Sequence, residues 1–255
     1  YGTPAIRTAD SAGTIIMEGL PINALYGWKT NGFFQNYDEI QDAALPTGID
    51  RSQLRPGDVR YVDLNSDGKI DENDRTYLGY AFPRYTYGFT YNVKWKGIDF
   101  SIMLQGVLKR ENPVRGELVQ PFHADYSMTM FDHQLDYWSP QNRDARWPRL
   151  GVSGSVSDTN NWGHTGSDLM LLEGAYMRVK NIQLGYTLPK KWTKKFGCEA
   201  LRIYFDTQNP LTWTKNGFVD PETTSFGNNM SGGADNSVRN YPTLRYFGGG
   251  IDLTF

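Results

Sequence analysis

Tyr85-Thr86-Tyr87-Gly88-Phe89-Thr90-Tyr91-Asn92-Val93-Lys94-Trp95 alternates without a break. Large apolar or aromatic side chains hold the odd positions, and small or polar ones hold the even positions. Such period-two patterning predicts one long strand with an apolar and a polar face. Eleven residues is also the length of a tilted strand that crosses a bilayer. Lys96-Gly97 follows, and then Ile98, Phe100, Ile102 and Leu104 alternate with Asp99, Ser101, Met103 and Gln105. Two long alternating runs joined by two residues predict a β-hairpin.

The same pattern recurs on both sides of this hairpin. Upstream, Ala24 to Phe34 reads as a strand, with Asn31-Gly32 as a turn or a bulge within it. Downstream, alternation stops after Leu108 for about sixty residues, and a connection of that length is usually functional. Within it, Met130 to Trp138 predicts a short helix ended by Ser139-Pro140. Trp147-Pro148 and the Gly/Ser/Asn run from Gly151 to Gly166 read as exposed loop. Alternation returns at Ala175. Met177 and Val179 share one phase, whereas Ile182, Leu184, Tyr186 and Leu188 share the other. That change predicts a β-bulge near Asn181, or a strand top that has left the apolar zone. After a lysine-rich connector from Pro189 to Ala200 come Leu201, Ile203 and Phe205. A polar loop with Gly217, Gly227 and Gly232-Gly233 precedes the last alternating run, Phe247 to Phe255.

Composition agrees with an all-β chain. Aromatics make up 14% and glycine numbers 27 among 255 residues, without long helical patterning. The formal net charge of −2 gives no push toward nucleic acid. A single cysteine, Cys198, excludes an internal disulfide framework. Mean hydropathy of −0.56 fits a soluble protein, but also a transmembrane barrel, in which half of each strand faces a polar lumen. The start resembles neither a signal peptide nor an initiator segment, so the chain reads as a fragment or a processed piece.

Connections that alternate between short and very long, joined to strands banded by Tyr, Trp and Phe, are features of outer-membrane barrels. About six strands are legible. Barrels begin at about eight, so the chain would supply one arc of a wall. The competing fold is a soluble β-sandwich with one wet face, which also alternates. In function it would be a secreted calcium-binding module, for example one that binds glycans.

Asp63-Leu64-Asn65-Ser66-Asp67-Gly68-Lys69-Ile70-Asp71-Glu72-Asn73-Asp74 carries the most specific local motif. Asp63, Asn65, Asp67, Asp71 and Asp74 put oxygens at loop positions one, three, five, nine and twelve. The Lys69 carbonyl stands at seven and Gly68 at six. This is the spacing of an EF-hand Ca²⁺ loop, with Ile70 expected to anchor it to something apolar. The pattern departs at its end, where Asp74 replaces the usual glutamate. An Asp/Asn/Gly turn without an ion has the same composition. Pro56-Gly57 before the loop and a strand soon after it exclude the helix pair that a calcium sensor needs.

Nothing points to catalysis. His123, His133 and His164 share one long loop without metal-ligand spacing. Neither a G-x-S-x-G elbow nor a paired-carboxylate arrangement is evident. Trp138, Trp147 and Trp162 would stack on sugars or pack loops together, and Tyr126, Trp147 and Asn228 are candidates to face a substrate or lid.

Several stretches, in the right order, resemble the C-terminal part of the SusC/RagA family of TonB-dependent outer-membrane transporters. They are Gly57-Asp58-Val59-Arg60-Tyr61-Val62-Asp63 running into Asp67-Gly68-Lys69-Ile70-Asp71, and Asp74-Arg75-Thr76-Tyr77-Leu78-Gly79. Phe82-Pro83-Arg84-Tyr85-Thr86-Tyr87-Gly88, Tyr137-Trp138-Ser139-Pro140 and Tyr176 to Tyr186 continue it, and Gln208-Asn209-Pro210-Leu211-Thr212 and the terminal strand complete it. The resemblance implies an arc of a barrel of about 22 strands with a plug. Residues 1–255 would be the C-terminal portion of that barrel, without the plug and the earlier strands. It further implies import of oligosaccharides or peptides across the outer membrane of Bacteroidetes-type bacteria. TonB would supply energy through an N-terminal part, and a SusD-like surface lipoprotein would act as lid. Phe255, Leu253 and Ile251 match the family's terminal aromatic strand. Phe255, Lys96-Gly97 and the lysine connector would then be periplasmic, and the loops holding Asp63, Trp138 and Gly232 extracellular.

Overall fold

Strand dominates the computed structural model, which describes residues 7–9, 14–22, 24–114, 116–122, 129–163, 166–222 and 242–255. The described chain divides into two units. Described residues within 1–82 and 111–172 belong to the first, and those within 83–110, 173–223 and 241–255 to the second.

The first unit is built of short pieces. In order they are β1 (Arg7–Ala9), β2 (Thr14–Ile16), β3 (Ala24–Trp28), β4 (Thr30–Phe33), α1 (Tyr37–Asp42), β5 (Leu45–Pro46), β6 (Val59–Tyr61), β7 (Lys69–Ile70) and β8 (Arg75–Tyr80). The expected strand over Ala24 to Phe34 is thus two strands. β3 joins a four-stranded sheet in the order β1-β2-β3-β8, while β4 pairs with β6. Thr30 pairs with Tyr61 and Phe33 with Val59, so Asn31 and Gly32 together oppose Arg60 as a bulge. Val59, Tyr61, Ile70 and Leu169 form a buried apolar cluster, with Trp28 and Phe33 packed against it. Ile70 therefore anchors its loop as expected.

Among the described residues, the second unit is built around one five-stranded antiparallel sheet. Its strands are β9 (Tyr85–Trp95), β10 (Ile98–Leu108), then, after β11 (Glu111–Pro113), α2 (Val156–Trp162) and β12 (Leu171–Glu173) of the intervening segment, β13 (Tyr176–Thr187), α3 (Lys190–Thr193), β14 (Ala200–Thr214) and β15 (Tyr246–Thr254). Spatial order is β15-β14-β13-β10-β9. Five long strands stand where about six were expected, because the Ala24–Phe34 region belongs elsewhere. The hairpin forms in the anticipated register, with Trp95 opposite Ile98. Lys96 (φ 48°) and Gly97 (φ 88°) both take positive φ, the signature of a type I′ turn whose twist matches the strands. The bulge is also real. Met103 faces Asn181 and Leu104 faces Val179, leaving Lys180 as the extra residue.

Two expectations for the long connection fail. Met130 to Trp138 contains only the single 3-10 turn Asp132–Gln134. The Gly151–Gly166 run is not simply exposed loop, because it holds α2, whose N-cap Ser155 accepts from the Asp158 N–H. Ser157, Asn160 and Asn161 on that helix are buried. Polar composition suggested loop; each of those side chains has a backbone or carboxylate partner instead.

Candidate functional site

Directly paired residues of an antiparallel sheet point to the same face, so the register assigns two faces to the sheet. Ile251, Ile203, Tyr186, Ile98 and Trp95 form one row across all five strands. Next to it run Phe205, Leu184, Phe100 and Val93, and then Ile182, Ile102 and Tyr91. Many of the large apolar side chains on this face lie exposed. Trp95 and Ile251 are each 63% exposed, Phe89 55% and Ile203 49%.

The opposite face is polar. Lys94, Asp99, Gly185, Tyr204 and Gly250 make one row, and Asn92, Ser101, Gln183, Asp206 and Gly248 another. Arg202 bridges two acids here. Its Nε and Nη2 donate to the two oxygens of Asp99 at 2.9 and 2.6 Å, and Nη1 donates to Asp252 at 2.9 Å. Its guanidinium also lies 4.9 Å from the Tyr204 ring centre. Glycine at 185 is a steric requirement. A Cβ there would stand 2.6 Å from Arg202 Nη2 and from both Asp99 oxygens. This ion pair borders an open concavity of about 610 Å³ lined by Asn92, Lys94, Ser101 and Gln183 among others.

A second charged cluster sits near the bulge. Arg178 donates to Thr212 (2.8 Å), Glu222 (2.6 Å) and Asp220 (2.7 Å), and Lys180 and Tyr176 also reach Glu222. Burial alone would raise the Asp220 carboxyl, but donors from Arg178 and the backbone of Glu222 and Thr243 hold it below the ordinary carboxylate range.

The Asp63–Asp74 loop is compact and hydrogen-bonded to itself. Asp63 accepts from the N–H groups of Ser66, Asp67 and Gly68, Asn65 from that of Asp67, and Asp67 from that of Lys69. Asp71 caps the turn Glu72–Asp74 by accepting from the Asn73 N–H. Asp74 is fully buried, and its two oxygens accept from the N–H groups of Leu64 and Asp71, closing the loop on itself. Trp28 Nε1 pins it from outside at the Asp71 carbonyl, 2.9 Å away. Among the described residues, no three His, Cys, Asp or Glu side chains converge as a metal cluster.

Of the three candidate tryptophans, Trp138 and Trp147 stand elsewhere than on an exposed surface, and Trp162 is half-buried. Trp147 is 2% and Trp138 7% exposed. Trp147 Nε1 donates to the His133 carbonyl at 2.9 Å, and His133 in turn contacts the Leu118 carbonyl at 2.6 Å. These rings pack loop on loop and present no face to a sugar. His123, His164, Tyr126, Asn228, Gly227 and Gly232 lie outside the described residues.

Asp58 was not singled out as a site, yet it organises the first unit. It is fully buried. One oxygen accepts from Arg149 Nε (2.8 Å) and Asn161 Nδ2 (3.1 Å), the other from Ser157 Oγ (2.6 Å) and the Arg55 N–H (2.9 Å). Asn161 and Asn160 then satisfy the Val59 N–H and carbonyl, as a neighbouring strand would. Gly57 makes room, since a Cβ there would stand 2.3 Å from the Trp138 ring. The signal in the sequence was Gly57-Asp58 within the stretch that carries the resemblance, but its partners are about ninety to a hundred residues away.

No protein-family model matches the chain. Curated relatives do. TonB-dependent receptor P3 of Formosa agariphila is 27% identical over 247 residues, covering 94% of this chain and 23% of the relative. TonB-dependent receptor SusC of Bacteroides thetaiotaomicron is 26% identical over 230 residues, covering 90% and 20%. Among solved structures, the RagAB peptide transporter superposes with a TM-score of 0.63 at 21% identity, covering 98% of this chain and 24% of that one. The names are those of receptors and transporters. The chain spans about a quarter of the length of the relatives it matches. Among the described residues no helix is long and apolar enough to cross a membrane, which says nothing of strands. Along nearly its whole length, the chain matches a segment of the SusC/RagA type of TonB-dependent receptor.

Proposed function

We propose that this chain is an arc of the barrel wall of a TonB-dependent importer in the bacterial outer membrane. One observation carries this reading: a five-stranded sheet with a wide uncovered apolar face and a hydrogen-bonded polar face. A soluble sandwich would bury that face under a second sheet. In lipid the same face is solvated where it stands, and the polar face lines an aqueous lumen. Among the described residues β9 and β15 each have one neighbour. Lipid tolerates no open strand edge, so further strands of the whole protein would continue the wall to closure. The cargo is a nutrient, an oligosaccharide or a peptide. A SusD-like surface lipoprotein serves as lid, and TonB supplies the energy through the rest of the receptor. No catalytic role is proposed. Membrane fractionation tests the core of this: the full-length protein should need detergent for extraction from outer membranes. Recovery in the soluble fraction without detergent would remove the importer reading and favour the secreted β-sandwich.

Within that reading, the Asp63–Asp74 loop takes Ca²⁺ and holds an outer loop in one shape. Asp63, Asn65, Asp67, Asp71 and the Lys69 carbonyl would supply oxygens, with Asp74 as the clasp beneath them. The supporting feature is that the side chains of Asp63, Asn65 and Asp67 are gathered on one small coil, tied together through N–H donors from the coil itself and from Asn65. Extracellular sites of this kind bind at roughly 10⁻⁴–10⁻³ M. Asp67→Ala should leave the sheet folded but make this loop protease-labile, and a chelator should do the same to the wild type. Equal loop protection with and without chelator would rule the ion out.

A further inference from the structure

One end of the sheet is crowded with lysine. The Lys96-Gly97 turn, α3 with the following turn Lys194–Phe196, and the end of β15 share that end. The Thr187 N–H donates to the Gly97 carbonyl, and the Glu199 N–H to the Thr254 carbonyl, both at 2.7 Å. Lys96, Lys190, Lys191, Lys194 and Lys195 are all exposed there, and among the described residues none of them has an ion-pair partner. Of the nearby acids, Asp99 and Asp252 are already held by Arg202, which leaves Glu199 alone. The imbalance extends to the whole unit. Segments 83–110, 173–223 and 241–255 carry fourteen of the 26 Lys and Arg but seven of the 28 Asp and Glu.

Two exposed tryptophans accompany these charges. Trp95 ends the apolar row at 63% exposure, with Lys96 Nζ 4.7 Å from its ring centre. Trp192 on α3 is 54% exposed. An aromatic ring at the end of a lipid-facing strand sits at headgroup level, which places the lysines at the same level or just beyond it. Ammonium groups are compact point charges well suited to phosphate. Five of them at one end of a sheet repel one another unless an anion gathers them.

We propose that this end of the sheet binds the phosphate headgroups of anionic phospholipids in the leaflet it borders. The proposal rests on the membrane reading above. It adds a lipid-specific interaction surface to a face that would otherwise be only apolar.

The test uses full-length protein reconstituted into nanodiscs of phosphatidylcholine with a minority of phosphatidylglycerol. Lipids retained on gentle detergent extraction are identified by native mass spectrometry. Wild type should retain phosphatidylglycerol in excess of its share, less so at high salt. Each Lys→Gln change among Lys96, Lys190, Lys191, Lys194 and Lys195 should weaken retention by about fivefold. Lys→Arg at the same positions should preserve it. Inserted wild type without that preference, or Lys→Gln variants that keep it, would overturn the proposal and leave the membrane reading standing. Wild type that stays soluble without detergent and never enters the disc would overturn both.

Discussion

Asp58 is a buried residue on which polar groups from distant parts of the first unit converge. Its carboxylate is fully buried and accepts from Arg149, Ser157, Asn161 and a backbone N–H. Removing one member of such a buried set leaves the others unpaired, at a cost of about 3–5 kcal/mol. Asp58→Ala should therefore release α2 and expose the bonds around residues 151–163 to protease while the long sheet remains intact. Undiminished protection of that segment would refute it. Gly57 and Gly185 make the complementary point, because each is set by what a Cβ would strike. Neither requirement is legible locally. The Trp138 ring and the Asp99–Arg202 pair that impose them arrive from distant parts of the chain. The same holds for Trp147, whose sequence neighbours suggested exposure and whose burial depends on His133 and the loop around it.

At the level of elements, what depends on near neighbours was readable. The eleven-residue alternation of β9, the two-residue turn and the change of phase near Asn181 all follow from local patterning and reappear in the register, where Lys180 is the extra residue. Breaks in that patterning were less reliable. Asn31-Gly32 separates two strands that pair with different partners, and the Ser/Asn run forms a helix. The bulge itself is braced by Arg178 and Lys180 against Asp220 and Glu222. Asp220 titrates below its unfolded value in this clamp. Its share of stability is therefore complete above the unfolded carboxylate pKa of about 3.9 and is lost as pH falls through the lower folded value. In acid titrations monitored by hydrogen exchange around residues 176–180, wild type should hold its protection below pH 4, roughly the unfolded carboxylate value. Asp220→Asn should start lower and show little further loss through the same window. Identical acid profiles for the two would exclude Asp220 as the titrating group.

For the whole molecule, the proposal of a barrel wall turns on which face of the sheet would meet lipid. Ile102 stands in the middle row of the apolar face, between Tyr91 and Ile182, while the adjacent Ser101 points to the other side. An arginine facing lipid near the bilayer midplane costs about 2–4 kcal/mol, and a lumenal one far less. Ile102→Arg should lower the urea midpoint of the reconstituted barrel, whereas Ser101→Arg should barely move it. Equal effects of the two substitutions would mean that the apolar face is not the lipid face.

Period-two alternation settled β9 and its hairpin from sequence alone, because side-chain direction in a strand depends only on position within it. The same alternation assigns the apolar and polar faces of these strands. Tertiary structure decided the rest. It gave five long strands to the sheet and moved Ala24–Phe34 elsewhere, because strand pairing is a choice between distant partners. It turned Asp74 inward as a clasp and made Asp58 the centre of the loop unit. Hydrogen bonds between residues ten to a hundred apart leave no local pattern in a chain.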